Sequence, residues 1–236
     1  MIFREPGLIA ASSRKPDNMS LNYGLIKEAL DNRRRFLDGL NIDFRRLVCA
    51  KQTHSANIRV ATEKDAGSGA LSYEKAIADT DAFITRCSNL PLAVFTADCL
   101  PVFLYDPLKR SIGIVHAGWK GTHQEIASKA VALMAKEFGS APEDILAGLG
   151  PSIRQCSYEV GGEFRDYFTY GLKEAGGKYF LDLAGINKKQ LSDSGLRQEN
   201  ISDPGQCTFC KSSEFFSFRR EAAACGRMMS VIMITG

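Results

Sequence analysis

Leu92-Ala93-Val94-Phe95, Val102-Phe103-Leu104-Tyr105 and Ile112-Gly113-Ile114-Val115-His116 decide how this chain reads. Each is a short apolar run bounded by Asp, Pro or Gly. Runs that are apolar at successive positions, instead of alternate ones, form strands buried on both faces. Asp106-Pro107-Leu108-Lys109-Arg110 has the residues of a turn joining the second run to the third. Further strands are expected at about 2–3, 7–11, 46–50, 57–61, 80–85, 144–149 and 228–234. Helices are expected at about 25–38, 122–138, 160–175, 187–195 and 219–226. The helix over 122–138 is the clearest. Thr122 can cap it, Ile126, Ala130, Leu133, Met134 and Phe138 share one face, and Gly139 ends it.

Strands therefore come in runs, with helices between the groups. That pattern favours an α+β fold of layered mixed β-sheets flanked by helices over strict βαβ alternation. Gly67-Ser68-Gly69 reads as a surface loop, and no repeat or Pro/Gly/Ser-rich linker interrupts the chain. One domain over residues 1–236 is expected, and the 44% hydrophobic content can fill its core.

The net charge of +3 is small. Arg33-Arg34-Arg35, Arg45-Arg46 and Arg219-Arg220 are scattered, as solvated faces would be, so a nucleic-acid partner is not expected. Met1-Ile2-Phe3-Arg4-Glu5-Pro6 lacks the form of a signal peptide, and no apolar run of about 18 residues suggests a membrane partner. Seven irregularly spaced cysteines are expected to be the reduced thiols of a cytoplasmic protein.

Candidate chemistry collects at the strand ends. His54 closes Lys51-Gln52-Thr53-His54, Cys99 follows Asp98 at the end of an apolar run, and His116 opens Ala117-Gly118-Trp119-Lys120-Gly121. Two imidazoles and a thiolate are a ligand set for a transition metal with an open position. Cys99 and His116 are equally a nucleophile–base pair for a hydrolase or amidase. Asp98 is an acid/base candidate or a support for the neighbouring ligand. Lys120, near a helix start, can meet an anion. His123 is expected to be a surface residue. Cys207-Thr208-Phe209-Cys210 is one Cys-x-x-Cys pair without a second; Cys156 and Cys225 are irregularly spaced companions, and ordinary free thiols are expected. Phe215, Phe216 and Phe218 are expected in the core.

Gln52-x-His54, Asp79-Thr80-Asp81-Ala82, Thr96-Ala97-Asp98-Cys99-Leu100-Pro101-Val102 and His116-Ala117-Gly118-Trp119-Lys120-Gly121-Thr122 resemble successive blocks of the YfiH family. Gly148-Leu149-Gly150-Pro151-Ser152-Ile153, Cys156-Ser157-Tyr158-Glu159-Val160-Gly161, Cys207-Thr208, Phe215-Phe216-Ser217-Phe218-Arg219-Arg220 and Gly226-Arg227 continue the resemblance in order. The family has been described as laccase-domain proteins, polyphenol oxidases and purine nucleoside phosphorylases. The resemblance implies a zinc site of His54, Cys99 and His116. It implies phosphorolysis of adenosine, inosine and methylthioadenosine to free base and ribose 1-phosphate, with adenosine deaminase activity beside it. Nucleoside and phosphate are then the small-molecule partners, with Lys120 and Arg219 as phosphate-binding candidates. The chain departs from the family pattern at Lys120, where Arg is usual, and at Ser55, where Gly is common. A multicopper cluster needs many imidazoles, and the chain has three histidines, so a laccase-like copper oxidase is the weaker reading. A metal used to stabilise the fold, without catalysis, is a further rival.

Overall fold

Leu100–Asp106 and Ser111–Ala117 pair antiparallel from Leu100↔Ala117 to Asp106↔Ser111, and every residue of both strands is buried. The turn between them closes on Asp106, whose Oδ1 accepts the N–H groups of Leu108 (2.8 Å) and Lys109 (3.0 Å). The computed structural model describes residues 3 and 5–236. In chain order its strands are β1 (Leu8–Ser12), β2 (Ile58–Val60), β3 (Ala82–Thr85), β4 (Leu92–Thr96), β5 (Leu100–Asp106), β6 (Ser111–Ala117), β7 (Leu146–Leu149), β8 (Glu159–Val160), β9 (Leu172–Ala175), β10 (Lys178–Leu181), β11 (Ile201–Ser202) and β12 (Met228–Ile234). The α-helices are α1 (Ile26–Asp38), α2 (Trp119–His123), α3 (Ile126–Phe138), α4 (Phe164–Tyr167), α5 (Leu183–Asp193) and α6 (Phe218–Glu221).

The β5–β6 hairpin is the middle of a sheet ordered β11-β7-β5-β6-β3-β2, with parallel pairs at its two edges and antiparallel pairs between. Side chains alternate across it. Val102, Leu104 and Val115 pack with Ile126, Val131 and Met134 of α3 and Leu183 and Leu191 of α5. Phe103, Ile112 and Ile114 point the other way, against Leu92 and Val94 of β4 and Ile232 of β12. The second sheet, β1-β12-β4, turns its far face to α1, where Ala93, Met229 and Val231 meet Leu37. The layers are helix, sheet, sheet, helix, the α+β arrangement expected from the runs.

Several local expectations need correcting. The 122–138 helix is two helices, because Glu125 takes a left-handed φ of 59° between α2 and α3. Thr122 is buried inside α2, and its hydroxyl accepts from Asn187 instead of capping. Residues 160–175 form the short α4 and then β9, which returns through Gly176 and Gly177, at φ 59° and 73°, into β10. That Gly-Gly turn is a hairpin signal that the helical reading overlooked. The stretch at 46–50 makes isolated bridges through Val48 and Ala50 and is not a strand. Over 219–226 the helix stops at Glu221, since Ala222 has φ 50°. Of the strand expected at 2–3, residue 2 lies outside the described residues and Phe3 is in no strand.

Because Leu104 is fully buried between the central hairpin and the helices, Leu104→Ala should cost about 2–5 kcal/mol through lost burial and a cavity. Urea unfolding should show a lower midpoint with the slope unchanged.

Candidate metal centre

The hairpin register brings two of the three candidate ligands to one edge. Pro101 pairs with His116, so Cys99, just before β5, stands beside the end of β6. His54 comes from the loop before β2 and is held at φ 61°, a left-handed conformation uncommon for a side-chain-bearing residue. Asp81 holds it there. Its Oδ1 accepts the His54 N–H (3.1 Å), and its Oδ2 accepts the Thr53 N–H (3.2 Å), the Ser55 N–H (2.8 Å) and the Ser55 hydroxyl (2.7 Å). The same Oδ1 lies 2.7 Å from His116 Nδ1, and the Asp81 carbonyl accepts the His116 N–H at 2.7 Å. With Nδ1–H given to the carboxylate, His116 Nε2 is left with its lone pair free for a ligand.

One donor atom from each of His54, Cys99 and His116 lies within 4.8 Å of the other two. The imidazole centroids are 4.8 Å apart and nearly perpendicular, at 74°. Gly118 makes this approach possible: a Cβ there would meet His54 Cδ2 at 3.0 Å and Cys99 Sγ at 3.1 Å. Gly118 and Gly121 both lack a positive φ, so they serve close approach and not an unusual backbone conformation. Two imidazoles and one sulfur, with a carboxylate orienting one ring, fit a transition metal with an open coordination position.

Without an ion the charges couple Cys99 and His116 as a thiolate–imidazolium pair, and a metal would have to displace the imidazolium proton. Burial opposes the Cys99 thiolate, but facing His116 and His54 overcome it and bring the thiol down to about 6. Burial opposes the His116 imidazolium, yet Cys99 and Asp81 raise it to about 9. Asp81, despite its burial, is held well below the usual carboxylate range by His116 and by the Ser55 hydroxyl and N–H.

A cavity of about 470 Å³ opens over these ligands. Aromatic walls come from Tyr23, Phe95, Trp119, Tyr158 and Phe218, and the guanidinium groups of Arg33, Arg219 and Arg227 reach its lining. Arg227 lies 4.0 Å over the Tyr23 ring and 5.7 Å over Phe218; Arg219 lies 5.3 Å over Tyr158. Arg33, expected on a solvated face, is buried and donates to the carbonyls of Met19, Gly69 and Ala70.

The remaining candidates divide. Asp98 sits at φ 87°, and both its oxygens are occupied: Thr208 Oγ1 donates to Oδ1 (2.6 Å), while Ser217 Oγ (3.0 Å) and the Arg219 N–H (2.7 Å) donate to Oδ2. It ties the ligand Cys99 to the segment carrying Arg219. Lys120 is exposed, with its ammonium 5.6 Å over Trp119, and is not part of the cavity lining. His123 is exposed, with Nδ1 3.0 Å from the Tyr167 carbonyl. Phe215 and Phe216 are core, as expected, but Phe218 is 54% exposed and faces the cavity. Reasoning from the sequence gave no part to Asp81, Tyr158 or Arg227. The signal for Asp81 was present: an acid opening the apolar run Ala82-Phe83-Ile84 is the same anomaly that drew attention to Asp98.

If Asp81 orients the ligands, Asp81→Asn should weaken metal binding about 10- to 100-fold, read by competition with a chromophoric chelator.

The family model described as multi-copper polyphenol oxidoreductase laccase matches residues 12–235. Purine nucleoside phosphorylase YlmD of Bacillus subtilis (strain 168) is 39% identical over 233 residues, covering 93% of this chain and 84% of that protein. Adenosine deaminase RL5, from an unknown prokaryotic organism, is 34% identical over 212 residues, covering 86% and 80%. The crystal structure of Bacillus licheniformis hypothetical protein YfiH aligns with a TM-score of 0.91 at 34% identity, over 97% of this chain and 93% of that one. Matched almost end to end in sequence and in fold, the chain belongs to the laccase-like polyphenol oxidoreductase family, alongside the YfiH and YlmD proteins.

Proposed function

We propose that this protein is a zinc-dependent purine nucleoside phosphorylase. Its substrates are adenosine, inosine and methylthioadenosine, and adenosine deamination is a second activity. The observation that carries the reading is a ligand triad, His54, Cys99 and His116, at the floor of a cavity with aromatic walls and arginines on its lining. At about 470 Å³ the cavity falls within the range of small-molecule sites. Flat apolar walls suit a purine, and guanidinium groups suit phosphate. The relative named purine nucleoside phosphorylase supports the first activity, and the relative named adenosine deaminase supports the second.

Bound zinc would supply Lewis acidity and lower the pKa of a coordinated water. The chain's own residues do the rest. Tyr158, Trp119 and Phe218 bracket the base and ribose and keep water from the reacting bond. Arg219 and Arg227, held by their stacking on Tyr158 and Tyr23, grip the phosphate oxygens. Lys120, exposed outside the cavity, has no part in this reading. A phosphate oxygen forms the bond to ribose C1′ while the C1′–N9 bond breaks. The base leaves with that electron pair and takes up one proton, giving free purine and ribose 1-phosphate. Asp98, its oxygens already engaged, acts by positioning Cys99 and Arg219.

Incubation with inosine and phosphate should give equal amounts of hypoxanthine and ribose 1-phosphate, and His116→Ala should abolish both. Turnover independent of phosphate would instead mean hydrolysis. Arg219→Ala should raise the KM for phosphate about 10- to 100-fold, as the loss of one charge-assisted contact requires.

A second reading, with Cys99 as nucleophile and His116 as base, draws on the thiol's fall to about 6. Alkylation separates the two. In chelator-treated protein, iodoacetamide labelling of Cys99, followed by peptide mapping, should be half-maximal near pH 6 and not near 9. Added zinc should suppress that labelling. Rapid labelling of the protein as purified, together with hydrolase turnover, would overturn the zinc reading.

A further inference from the structure

We propose that Cys156, Cys207 and Cys210 form a second metal site, separate from the first, that binds zinc as a structural clamp. Cys156 is remote in sequence from the Cys207-x-x-Cys210 pair, yet the sulfurs converge: Cys156 Sγ is 3.8 Å from Cys207 Sγ and 3.8 Å from Cys210 Sγ. Thiolates around a tetrahedral zinc, with zinc–sulfur bonds of about 2.3 Å, stand about 3.8 Å from one another. A fourth donor is in place. Ser157 Oγ lies 3.4 Å from Cys156 Sγ, 3.3 Å from Cys210 Sγ and 3.9 Å from Cys207 Sγ. Its hydroxyl occupies the remaining corner of the tetrahedron, where it ligates directly or holds a ligating water.

The backbone is shaped for the same end. The Cys-x-x-Cys turn closes through Lys211 N–H to the Cys207 carbonyl at 3.0 Å, and Cys156 sits in a turn closed by Ser157 and Tyr158 N–H on the Arg154 carbonyl. Cys156 and Cys210 are exposed, so an ion can reach the site, while Cys207 is buried beneath them. Cys225 takes no part: it is buried with Phe215, Phe216 and Met228, its thiol on the Gly226 carbonyl. A set rich in sulfur selects a soft or borderline ion over magnesium or calcium.

The clamp acts where the cavity needs bracing. Tyr158, two residues beyond Cys156, forms part of the cavity wall. Thr208, next to Cys207, donates to Asp98, the neighbour of Cys99. The bridging pair Ser152 and Cys207 already joins the two segments by backbone bonds, and a bound ion would lock them together. Three thiols give up their protons on binding, so affinity should rise with pH.

The test uses the whole chain, purified with zinc and a reductant present, and reads metal content by elemental analysis and intact mass under native conditions. Two zinc ions per chain are expected. Cys210→Ser should leave one and lower the melting temperature, and His116→Ala should also leave one. Cobalt replacement of the wild-type metal needs no variant: its thiolate-to-cobalt charge-transfer band should carry the intensity of three thiolates added to that of Cys99. A ratio of one zinc per chain that Cys210→Ser does not change would overturn the proposal. So would a Cys207–Cys210 or Cys156–Cys210 disulfide in protein handled without oxidant, or a cobalt band with the intensity of one thiolate.

Discussion

A single buried carboxylate organises this molecule's chemistry. Asp81 sits where β3 begins, and its backbone carbonyl and side chain both bind His116. The same side chain gathers the N–H groups of Thr53, His54 and Ser55, folding that loop back over the sheet edge. A carboxylate this deep would be costly if unpaired; removing the partner of a buried charge costs about 3–5 kcal/mol. The donors around Asp81 compensate by geometry, and the geometry is what the site uses. The left-handed backbone of His54 is held by that collar of bonds, and the second imidazole is oriented by the same atom.

The rigid part of the site and its adaptable part come from different regions. Cys99 and His116 are carried by the central hairpin, whose register admits no slip without moving each packed face into the other core. The cations and aromatic walls are gathered from many elements: Tyr23 from the loop before α1, Arg33 from α1, Phe95 from β4, Trp119 from α2, Tyr158 from the turn before β8, Phe218 and Arg219 from the short α6, and Arg227 from the approach to β12. A candidate ligand set centred on one hairpin beneath a wall drawn from many segments is an arrangement in which wall contacts can vary while the set does not. It also bears on the family's copper-oxidase description. With three histidines in the chain and His123 turned to the surface, the imidazoles for a multicopper cluster are lacking.

The layered α+β fold was legible because its central strands are apolar at every position, a pattern that survives without knowledge of partners. Cys99 and His116 were noticeable because they stand at strand ends, where chemistry-bearing side chains interrupt apolar runs; His54 stands in a loop and converges with them through Asp81. What the sequence hid was set by long-range contacts. Thr122 looks like a cap until Asn187 claims its hydroxyl across the helix layer. Arg33 looks like one of three solvated arginines until the carbonyls of Met19, Gly69 and Ala70 enclose it. Lys120 looks like an anion ligand from its place after Gly118, but the short α2 turns it outward over Trp119. For Thr122 and Arg33 the deciding partner is remote in sequence, which local periodicity does not encode.

Asp98 shows why those remote partners matter to chemistry. It lies beside a metal-ligand candidate, at a positive φ, which is the setting of a catalytic acid. Its oxygens nonetheless accept from Thr208, Ser217 and the Arg219 backbone, three groups from the C-terminal part of the chain. A carboxylate so engaged transmits position between the segments it joins. Through it the cysteine at the head of the central hairpin is joined to Arg219, a residue of the cavity lining. Displacement of the Thr208 segment would therefore shift Cys99 and Arg219 together, coupling the candidate ligand set to the arginine-bearing wall of the cavity through one side chain.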